Sequence, residues 1–114
     1  MLGNGNRAAG TLRLHDRSDI ENALGVGMAG GGLLLDESQL GPDFFDLRTG
    51  LAGEVFQKFT NYRVRLALVI ADANSHGARF AELAYEHRTH NAVRCFTTEQ
   101  LARQWLAYNP VVRC

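Results

Sequence analysis

The sequence lacks the features on which small secreted and membrane proteins depend. It contains only two cysteines, Cys95 and Cys114, whereas a disulfide-stabilised domain of this size usually has several. Its longest apolar run covers residues 66–71, far short of the ~20 residues that cross a bilayer. Residues 1–10 are rich in glycine and asparagine and have no apolar core like that of a signal peptide. We therefore expect a cytoplasmic protein that is not attached to a membrane.

Net charge is absent as well. Twelve basic and twelve acidic side chains cancel, and Lys58 is the only lysine. Arg48, Arg63 and Arg65 lie among acidic residues rather than in a uniformly basic stretch. A solvated surface explains such arginines better than a nucleic-acid interface does, so we expect no nucleic-acid partner.

The length and the apolar fraction suit one globular domain. With 114 residues, 46% of them hydrophobic, the chain has enough material for a single core. We expect a flexible segment at residues 1–10 and a single domain over residues 11–114. Hydrophobic periodicity predicts four strands, each followed by a helix. The strands are predicted at 11–15, 33–36, 64–71 and 92–96, and the second and third helices at 49–60 and 75–87.

The third predicted strand indicates the fold class. Residues 64–71 are almost continuously apolar, which is typical of a central parallel strand that is buried on both faces. Alternation of strands and helices along the chain also indicates parallel pairing. The sequence therefore predicts an α/β domain with a mainly parallel sheet of about four strands and alternating helices.

Helix starts are indicated by capping residues. Ser18 and Glu21 have the spacing of a capping box before the first helix, and residues 97–100 repeat that spacing before the last. Asn74 and Ser75 are predicted to cap the third helix, because their side chains accept hydrogen bonds from unpaired backbone N–H groups.

Residues 25–30 match the dinucleotide-binding pattern GxGxxG. That site needs a strand just before the glycines and a helix that begins within them, so that the pyrophosphate meets the helix N-terminus. Here the glycines, together with residues 31 and 32, end a helix and precede a strand. The reversed order favours helix termination, and we expect no cofactor.

A histidine pair suggests a metal site. His87 and His90 lie near the predicted end of the third helix, and Cys95 follows them. These residue types bind zinc, but no second paired motif completes a four-ligand set. Histidines also favour helix C-termini, because the imidazolium complements the helix dipole. We expect a solvated helix end and no metal.

Asp72, Ser75 and His76 resemble the residue types of a hydrolase triad. A nucleophile and its base must meet at hydrogen-bonding distance, which side chains within one turn rarely do. Helix capping explains Ser75 better. Asp72 stays a candidate binding residue, because the loop after a buried parallel strand is a common ligand position.

The polar turn at residues 46–50 leads into an amphipathic helix. A helix start presents unpaired N–H groups and partial positive charge, so an anion or a phosphorylated hydroxyl can bind there. Phe44 and Phe45, just upstream, fit either the core or an apolar anchor for a partner. The polar side chains expected on the outer face of this helix are Glu54, Gln57, Lys58 and Asn61.

The segment DFFDLRTGLAGEVFQKFTNYRVRLALV, which begins at Asp43, resembles an uncharacterised bacterial family, the domain of unknown function numbered 4180. The resemblance extends over about residues 18–106. It loosens at residues 85–91, where only Tyr85 and Glu86 follow the family pattern. Family members usually have more chain before the first helix, enough for a strand pair.

A more distant resemblance is to the STAS domain of anti-sigma-factor antagonists and sulphate-transporter tails. Leu34-Leu35-Asp36 resembles the strand before its functional turn. Phe45-Asp46 followed by Thr49-Gly50-Leu51 resembles the Phe-Met-Asp-Ser-Ser-Gly-Leu pattern of the antagonists, with two extra residues. The resemblance implies that Thr49 takes the place of a serine that a partner kinase phosphorylates, and the alternative is that it caps the helix.

Three hypotheses follow. The first is a STAS-like interaction or regulatory domain without catalytic activity, which binds an unknown protein partner through the 43–50 turn and the following helix. The second is a module that binds a small molecule or anion, or acts on it, at the helix start. The third is a homodimer formed through a sheet edge that the short N-terminus leaves open. The residues assigned to these sites are Asp43, Asp46, Arg48, Thr49, Gly50, Glu54, Gln57, Lys58, Asn61 and Asp72.

Overall fold

The computed structural model describes residues 12–107, so the predicted flexible segment at 1–10 lies outside the described residues. The helices are α1 (Ile20–Gly30), α2 (Pro42–Phe45), α3 (Leu51–Asn61), α4 (Ala78–Glu86) and α5 (Glu99–Ala107), and the strands are β1 (Leu33–Asp36), β2 (Leu66–Val69) and β3 (Val93–Phe96). Short 3-10 turns cover Arg17–Asp19, Glu37–Gln39, Leu47–Thr49 and Ala73–His76. Within the described range, no helix combines the length and the hydrophobicity that crossing a bilayer requires.

The three strands form one parallel sheet in the order β1-β2-β3. Leu66 of β2 lies beside Leu33 of β1 on one side and beside Val93 of β3 on the other. The prediction of an α/β domain with a parallel sheet is confirmed, and the strand predicted at 33–36 has the observed bounds. The long apolar run at 64–71 contains the central strand, as its burial on both faces indicates.

The strand predicted at residues 11–15 does not join the sheet. Leu14 forms only an isolated parallel bridge to Leu40. The N–H of Leu14 donates to the carbonyl of Gln39, and the N–H of Gly41 donates to the carbonyl of Leu14. The segment therefore pairs with the loop after β1 instead of with β1 itself, although Leu14 is fully buried. Among the described residues the sheet has three strands and not the four predicted.

A single hydrophobic core fills the space between one face of the sheet and helices α1, α3 and α4. Because side chains alternate across a strand, Leu33, Leu35, Leu66 and Leu68 all point to this face. The helices contribute Ile20, Leu24, Val55, Phe59 and Phe80.

The other face of the sheet is covered by α5. Ala67 of β2 and Ala102 of α5 are both fully buried, which allows close packing of the helix on the central strand. The Trp105 ring lies 5.6 Å from the Phe96 ring, and the guanidinium groups of Arg65 and Arg94 lie 5.4 Å and 4.8 Å from the Trp105 ring centre. Cation–π contacts therefore replace part of the apolar packing on this side.

The capping box before α1 differs from the prediction. Asp16 accepts from the N–H of Ser18 at 2.9 Å, and Asp19 accepts from the N–H of His15 and of Asp16. Asp16 therefore caps the 3-10 turn, and α1 continues directly from it. The predicted box of Ser18 and Glu21 is wrong, because Ser18 donates its hydroxyl to Asp16 instead.

The glycines of α1 serve packing and helix termination. Residues 25–30 lie within α1 and precede β1, the reverse of the order in a dinucleotide site. A Cβ on Gly27 would lie 2.8 Å from Val64 Cγ1, so only glycine allows α1 to approach this close. Gly31 ends the helix with φ 78°, a left-handed conformation that favours glycine.

Capping before α4 and α5 also differs in detail. Asn74 and Ser75 belong to a separate 3-10 turn, in which the Asp72 carboxylate accepts from the N–H of Asn74 at 3.1 Å. Helix α4 begins three residues later, after Gly77, so the prediction that Asn74 and Ser75 cap it is wrong. Before α5, Thr98 accepts from the N–H of Leu101 at 3.3 Å, within the capping segment predicted at 97–100.

Candidate functional site

A cleft of about 700 Å³ separates the 42–48 segment from the start of α4. We call it the turn cleft; its chemically distinctive lining residues are Phe45, Asp46, Arg48, His76 and Arg79. It lies beside the carboxyl ends of β1 and β2, because His76 follows β2 and contacts Glu37, which follows β1. The carboxyl edge of a parallel sheet is the usual place for a ligand in α/β folds.

His76 is fixed from several directions. The 3-10 turn that carries His76 is capped by Asp72. The Nε2 atom of His76 lies 2.7 Å from Oε2 of Glu37. Its ring stacks on Phe45 with a centroid distance of 3.6 Å and an interplanar angle of 5°. Glu37 also accepts from the N–H of Ala71 through its other oxygen. A carboxylate that holds one ring nitrogen fixes the orientation of the imidazole, and Nδ1 has no partner among residues 12–107.

Arg48 and Asp46 form a two-point ion pair at the rim of the turn cleft. Arg48 Nε and Nη2 each lie 3.0 Å from an Asp46 oxygen, and the N–H of Arg48 donates to the same carboxylate. The hydrogen bonds from Arg48 lower the pKa of Asp46, and those to Asp46 raise the pKa of Arg48. Although paired, the Arg48 side chain is 86% exposed, so its outer face stays accessible.

Arg79 is the second cation of the turn cleft. It is the second residue of α4, directly opposite the turn, and it is exposed. Its guanidinium has no hydrogen-bond or ion-pair partner among the described residues. The N-cap of α4 is Gly77, so no side chain caps the first N–H groups of this helix, and its first three residues line the turn cleft.

Thr49 stabilises the turn but does not cap α3. Its hydroxyl lies 2.7 Å and 2.9 Å from the carbonyl oxygens of Asp43 and Asp46, and it accepts from the N–H of Leu51 at 3.1 Å. The N-cap is Gly50, which has φ 79°. The alternative in which Thr49 is the helix cap is therefore wrong, because the N-cap position belongs to the next residue, Gly50. Its left-handed conformation joins the 3-10 turn to α3 and favours glycine.

Arg17 covers the start of α3, and the sequence offered no indication of this. Its Nη2 donates to the carbonyl of Thr49 at 2.8 Å, and its Nε donates to Glu54 at 2.5 Å. A Cβ on Gly50 would lie 3.0 Å from Arg17 Nη2. A residue 32 positions earlier in the chain therefore places a cation in contact with the backbone of Thr49.

The predicted outer face of α3 forms a separate depression of about 570 Å³, which we call the helix groove. Lys58 lies 3.0 Å from Glu21 of α1, and this pairing raises the pKa of Lys58. Glu54 is paired with Arg17. The charges on this face therefore pair largely within the domain. The helix groove is lined by Gly50, Gly53, Glu54, Gln57, Lys58 and Asn61.

The structure thus divides the predicted site residues among three places. Asp46 and Arg48 line the turn cleft, and Gly50 with the outer residues of α3 lines the helix groove. Thr49 lies inside the turn and Asp43 lies in α2, where its carbonyl accepts from the Thr49 hydroxyl, and neither residue lines a cavity. Asp72 acts on the cleft only through the turn that carries His76.

The two phenylalanines before the turn have different environments. Phe44 is fully buried, and its ring packs against the rings of Phe56 and Phe80. Phe45 is half-buried and presents its ring to the turn cleft, where it stacks on His76. Of the two, only Phe45 is placed to contact a partner.

No group of three metal-ligating side chains occurs in the part of the chain that the structure describes. The rings of His87 and His90 lie 4.9 Å apart. His87 Nδ1 is engaged by the carbonyl of Leu83, as expected for a histidine at a helix end. Burial raises the pKa of Cys95 to about 12, so it is a neutral thiol at physiological pH.

Glu37 and Arg79 are the functional candidates that the sequence interpretation missed. Both residues follow strands of the sheet, where ligands commonly bind: Glu37 directly follows β1, and Arg79 lies in the first turn of α4, the helix after β2. Carboxyl ends of neighbouring parallel strands meet at one edge, but the order of the strands, which brings Glu37 to His76, comes from the structure.

The fold and the turn cleft define a small α/β domain with a cleft at the carboxyl edge of a parallel sheet, in which a mainly apolar lining carries the charged groups of Asp46, Arg48 and Arg79. Residues 8–106 match the family model described as Domain of unknown function (DUF4180). The match covers nearly the whole chain, and the protein belongs to this family. No curated protein and no solved structure matches the chain.

Proposed function

We propose that this domain is a non-catalytic interaction or regulatory module that binds a protein partner at the turn cleft. The observation that carries the proposal is the convergence of Arg48 and Arg79 on one cleft, where Arg79 has no partner among the described residues. Asp46 is the one carboxylate in the lining, and Arg48 already neutralises it. A partner that presents an acidic or phosphorylated side chain would satisfy both guanidinium groups.

The lining supports binding over covalent catalysis. None of the residues that line the turn cleft carries a hydroxyl or a thiol, so no serine-type or cysteine-type nucleophile lines the cleft beside His76. Phe45 provides an apolar surface for the partner next to the charged groups. An apolar ring beside paired charges is a common composition for an interface anchor.

We also propose a switch at Thr49, the position at which the STAS sequence pattern carries a phosphorylated serine. Phosphorylation would remove the hydroxyl proton and would place about two negative charges in the turn. The Thr49 hydroxyl now bonds to backbone groups on both sides of the turn, and those bonds would be lost. Arg17, whose Nη2 already reaches the Thr49 carbonyl, would be drawn from Glu54 towards the phosphate. The turn would then change shape and alter the cleft.

Affinity purification from the native cell tests the proposal. Arg79→Gln, Arg48→Gln and Thr49→Glu are each expected to lose partners that the wild-type domain retains. Arg103→Gln is the matched control, because it removes the same charge from an exposed pair with Glu99 on α5. Identical partners for all four variants, each shown to be folded by circular dichroism, would overturn the proposal.

A second candidate function is the binding of a small anionic molecule in the same cleft. The volume of about 700 Å³ favours it, since it falls within the range of small-molecule sites. A thermal-shift screen with nucleotides and phosphorylated metabolites distinguishes the two functions, because a ligand that binds the native state raises the melting temperature. The increase should disappear in Arg79→Gln, and a panel without any response argues for the protein partner.

Homodimerisation is the remaining proposal. Within the described residues, β1 and β3 each pair only with β2, so each has one edge without a neighbouring strand. The N–H groups of Val93 and Cys95 on the outer side of β3 already donate to His90 Nδ1 and to the carbonyl of His87, so the edge of β1 is the one along which a second copy would pair. Light scattering on the purified chain gives the test, and a monomeric mass would exclude it.

A further inference from the structure

A second cationic cavity lies at the opposite edge of the sheet from the turn cleft. This cavity, of about 570 Å³, is lined by Thr60, Arg63, Arg65, Thr89, His90 and Asn91, and we call it the basic cleft. No carboxylate is among its lining residues. Since the chain as a whole has no net charge, the positive charge here is a local concentration.

Arg63 lies just after the end of α3 and has an unusual backbone conformation for an arginine. Its φ of 57° makes it the one non-glycine residue with positive φ in the described part of the chain. This conformation is sterically disfavoured for most residues, whereas glycine adopts it freely and asparagine more readily than most others. The guanidinium of Arg63 has no partner within residues 12–107. The conformation belongs to the end of α3, because the N–H of Arg63 donates to the carbonyl of Thr60 and the N–H of Val64 to that of Phe59. Glycine is the usual residue at such a position, so the fold does not require an arginine side chain there, and its guanidinium is available to a ligand.

His90 contributes a fixed neutral donor. Its Nδ1 accepts from the N–H of Ala92 at 3.1 Å and of Val93 at 3.2 Å, so the proton of the neutral ring is on Nε2. Burial, together with the positive charges of His87 and Arg94, lowers the pKa of His90. The ring is therefore held in one orientation and in one tautomer.

The loop that carries these groups is held in place by Arg94. Its Nε donates to the carbonyl of His90 at 2.9 Å and its Nη2 to the carbonyl of Thr89 at 3.1 Å. Burial and the nearby charge of Arg65 lower the pKa of Arg94. The basic cleft is thus preformed, and a ligand would bind without first ordering the loop.

We propose that the basic cleft binds the phosphate group of a small phosphorylated molecule. Arg63 and Arg65 both supply positive charge, and the Arg63 guanidinium can donate to a phosphate, whereas Arg65 Nη1 already donates to the carbonyl of Trp105 at 2.7 Å. The neutral donors in the lining are the hydroxyl of Thr89, the amide of Asn91 and Nε2 of His90. They match the additional acceptor oxygens of a phosphate better than the two oxygens of a carboxylate.

Titration followed by NMR tests this site on the intact chain. Pyrophosphate and inorganic phosphate, compared with sodium chloride at equal ionic strength, should shift the amide signals of residues 60–65 and 89–92 in a saturable way. Arg63→Gln should weaken the apparent affinity about tenfold or more, which is the effect expected for a charged hydrogen bond. Arg103→Gln, with the same change of charge on α5, should leave the affinity unchanged.

Arg63→Gly separates a binding role from a structural one. Glycine accepts the positive φ without strain, so this variant should melt a few degrees higher than the wild type and still lose the anion response. A lower melting temperature would show that Arg63 stabilises the fold and would overturn the proposal.

Adenosine monophosphate identifies the source of the phosphate. If adenosine monophosphate shifts the amide signals of the same residues and binds at least as tightly as inorganic phosphate, the result supports a phosphorylated molecule as the ligand. If the cleft binds inorganic phosphate but not adenosine monophosphate, the assignment of a small phosphorylated molecule as the ligand would be overturned. Shifts confined to the turn cleft, or an unchanged affinity in Arg63→Gln, would overturn the site itself.

Discussion

The Nε2 atom of His76 lies 2.7 Å from Oε2 of Glu37, and this contact joins the loops that follow two neighbouring parallel strands. It determines the shape of the turn cleft, because the His76 ring in turn supports Phe45. One hydrogen bond between loops therefore positions the wall of the candidate site.

Glu37→Gln should weaken this junction. The amide keeps the shape of the side chain but loses the negative charge, so we expect a loss of about 1 kcal/mol in the free energy of unfolding. Urea denaturation gives the value, and hydrogen exchange at residues 73–76 should accelerate. Glu99→Gln removes the same charge from an exposed pair with Arg103 and should cost only about 0.3–0.5 kcal/mol. Equal losses in the two variants would contradict a special role for Glu37.

Two glycines of α1 should respond in opposite ways to alanine. Gly25 has open space around it, so Gly25→Ala should stabilise the helix by about 0.5–1 kcal/mol. A Cβ on Gly27 would lie 2.8 Å from Val64 Cγ1, so Gly27→Ala should destabilise the domain by roughly 1–3 kcal/mol. Both values follow from thermal or urea unfolding. Adding Val64→Ala to Gly27→Ala should recover part of the loss, and strict additivity would rule out the proposed clash.

The Thr49 hydroxyl should matter more than the Thr49 methyl group. Thr49→Val keeps the volume but leaves the N–H of Leu51 and the carbonyl of Asp43 without their partner, with an expected cost of about 1–2 kcal/mol. Thr49→Ser keeps the hydroxyl and should stay close to the wild type. Chemical denaturation of the three proteins gives the comparison. A valine variant as stable as the serine variant would show that these hydrogen bonds contribute little.

His90 should make the stability of the domain dependent on pH. Its pKa is lowered in the folded state, so its contribution is complete above the unfolded value of about 6.5 and is lost as the pH falls through the folded value. His90→Asn keeps an acceptor near Nδ1 but does not titrate. The difference in unfolding free energy between pH 7.5 and pH 5.0 should therefore be smaller in this variant than in the wild type. The same difference in both proteins would assign the pH dependence to other groups.

The helix caps predicted from the sequence differ most from those in the structure. Asp16, and not Ser18, caps the segment before α1, Asp72 caps the turn that contains Asn74, and Gly50 rather than Thr49 precedes α3. Several neighbouring side chains can accept the same backbone hydrogen bond. The direction in which the chain enters each helix decides among them, and that direction depends on packing.

The sequence by itself determined the α/β class, the strand at 33–36 and the end of α1 at the glycines, because hydrophobic periodicity and glycine conformation act within a few residues. Only the tertiary structure decided which charged groups meet. Glu37 and His76 are 39 positions apart, and Arg17 and Glu54 are 37 apart. Such pairs depend on how the helices and the sheet pack, and the spacing of residues along the chain does not specify those distances. The same packing separated the predicted surface into the turn cleft and the helix groove.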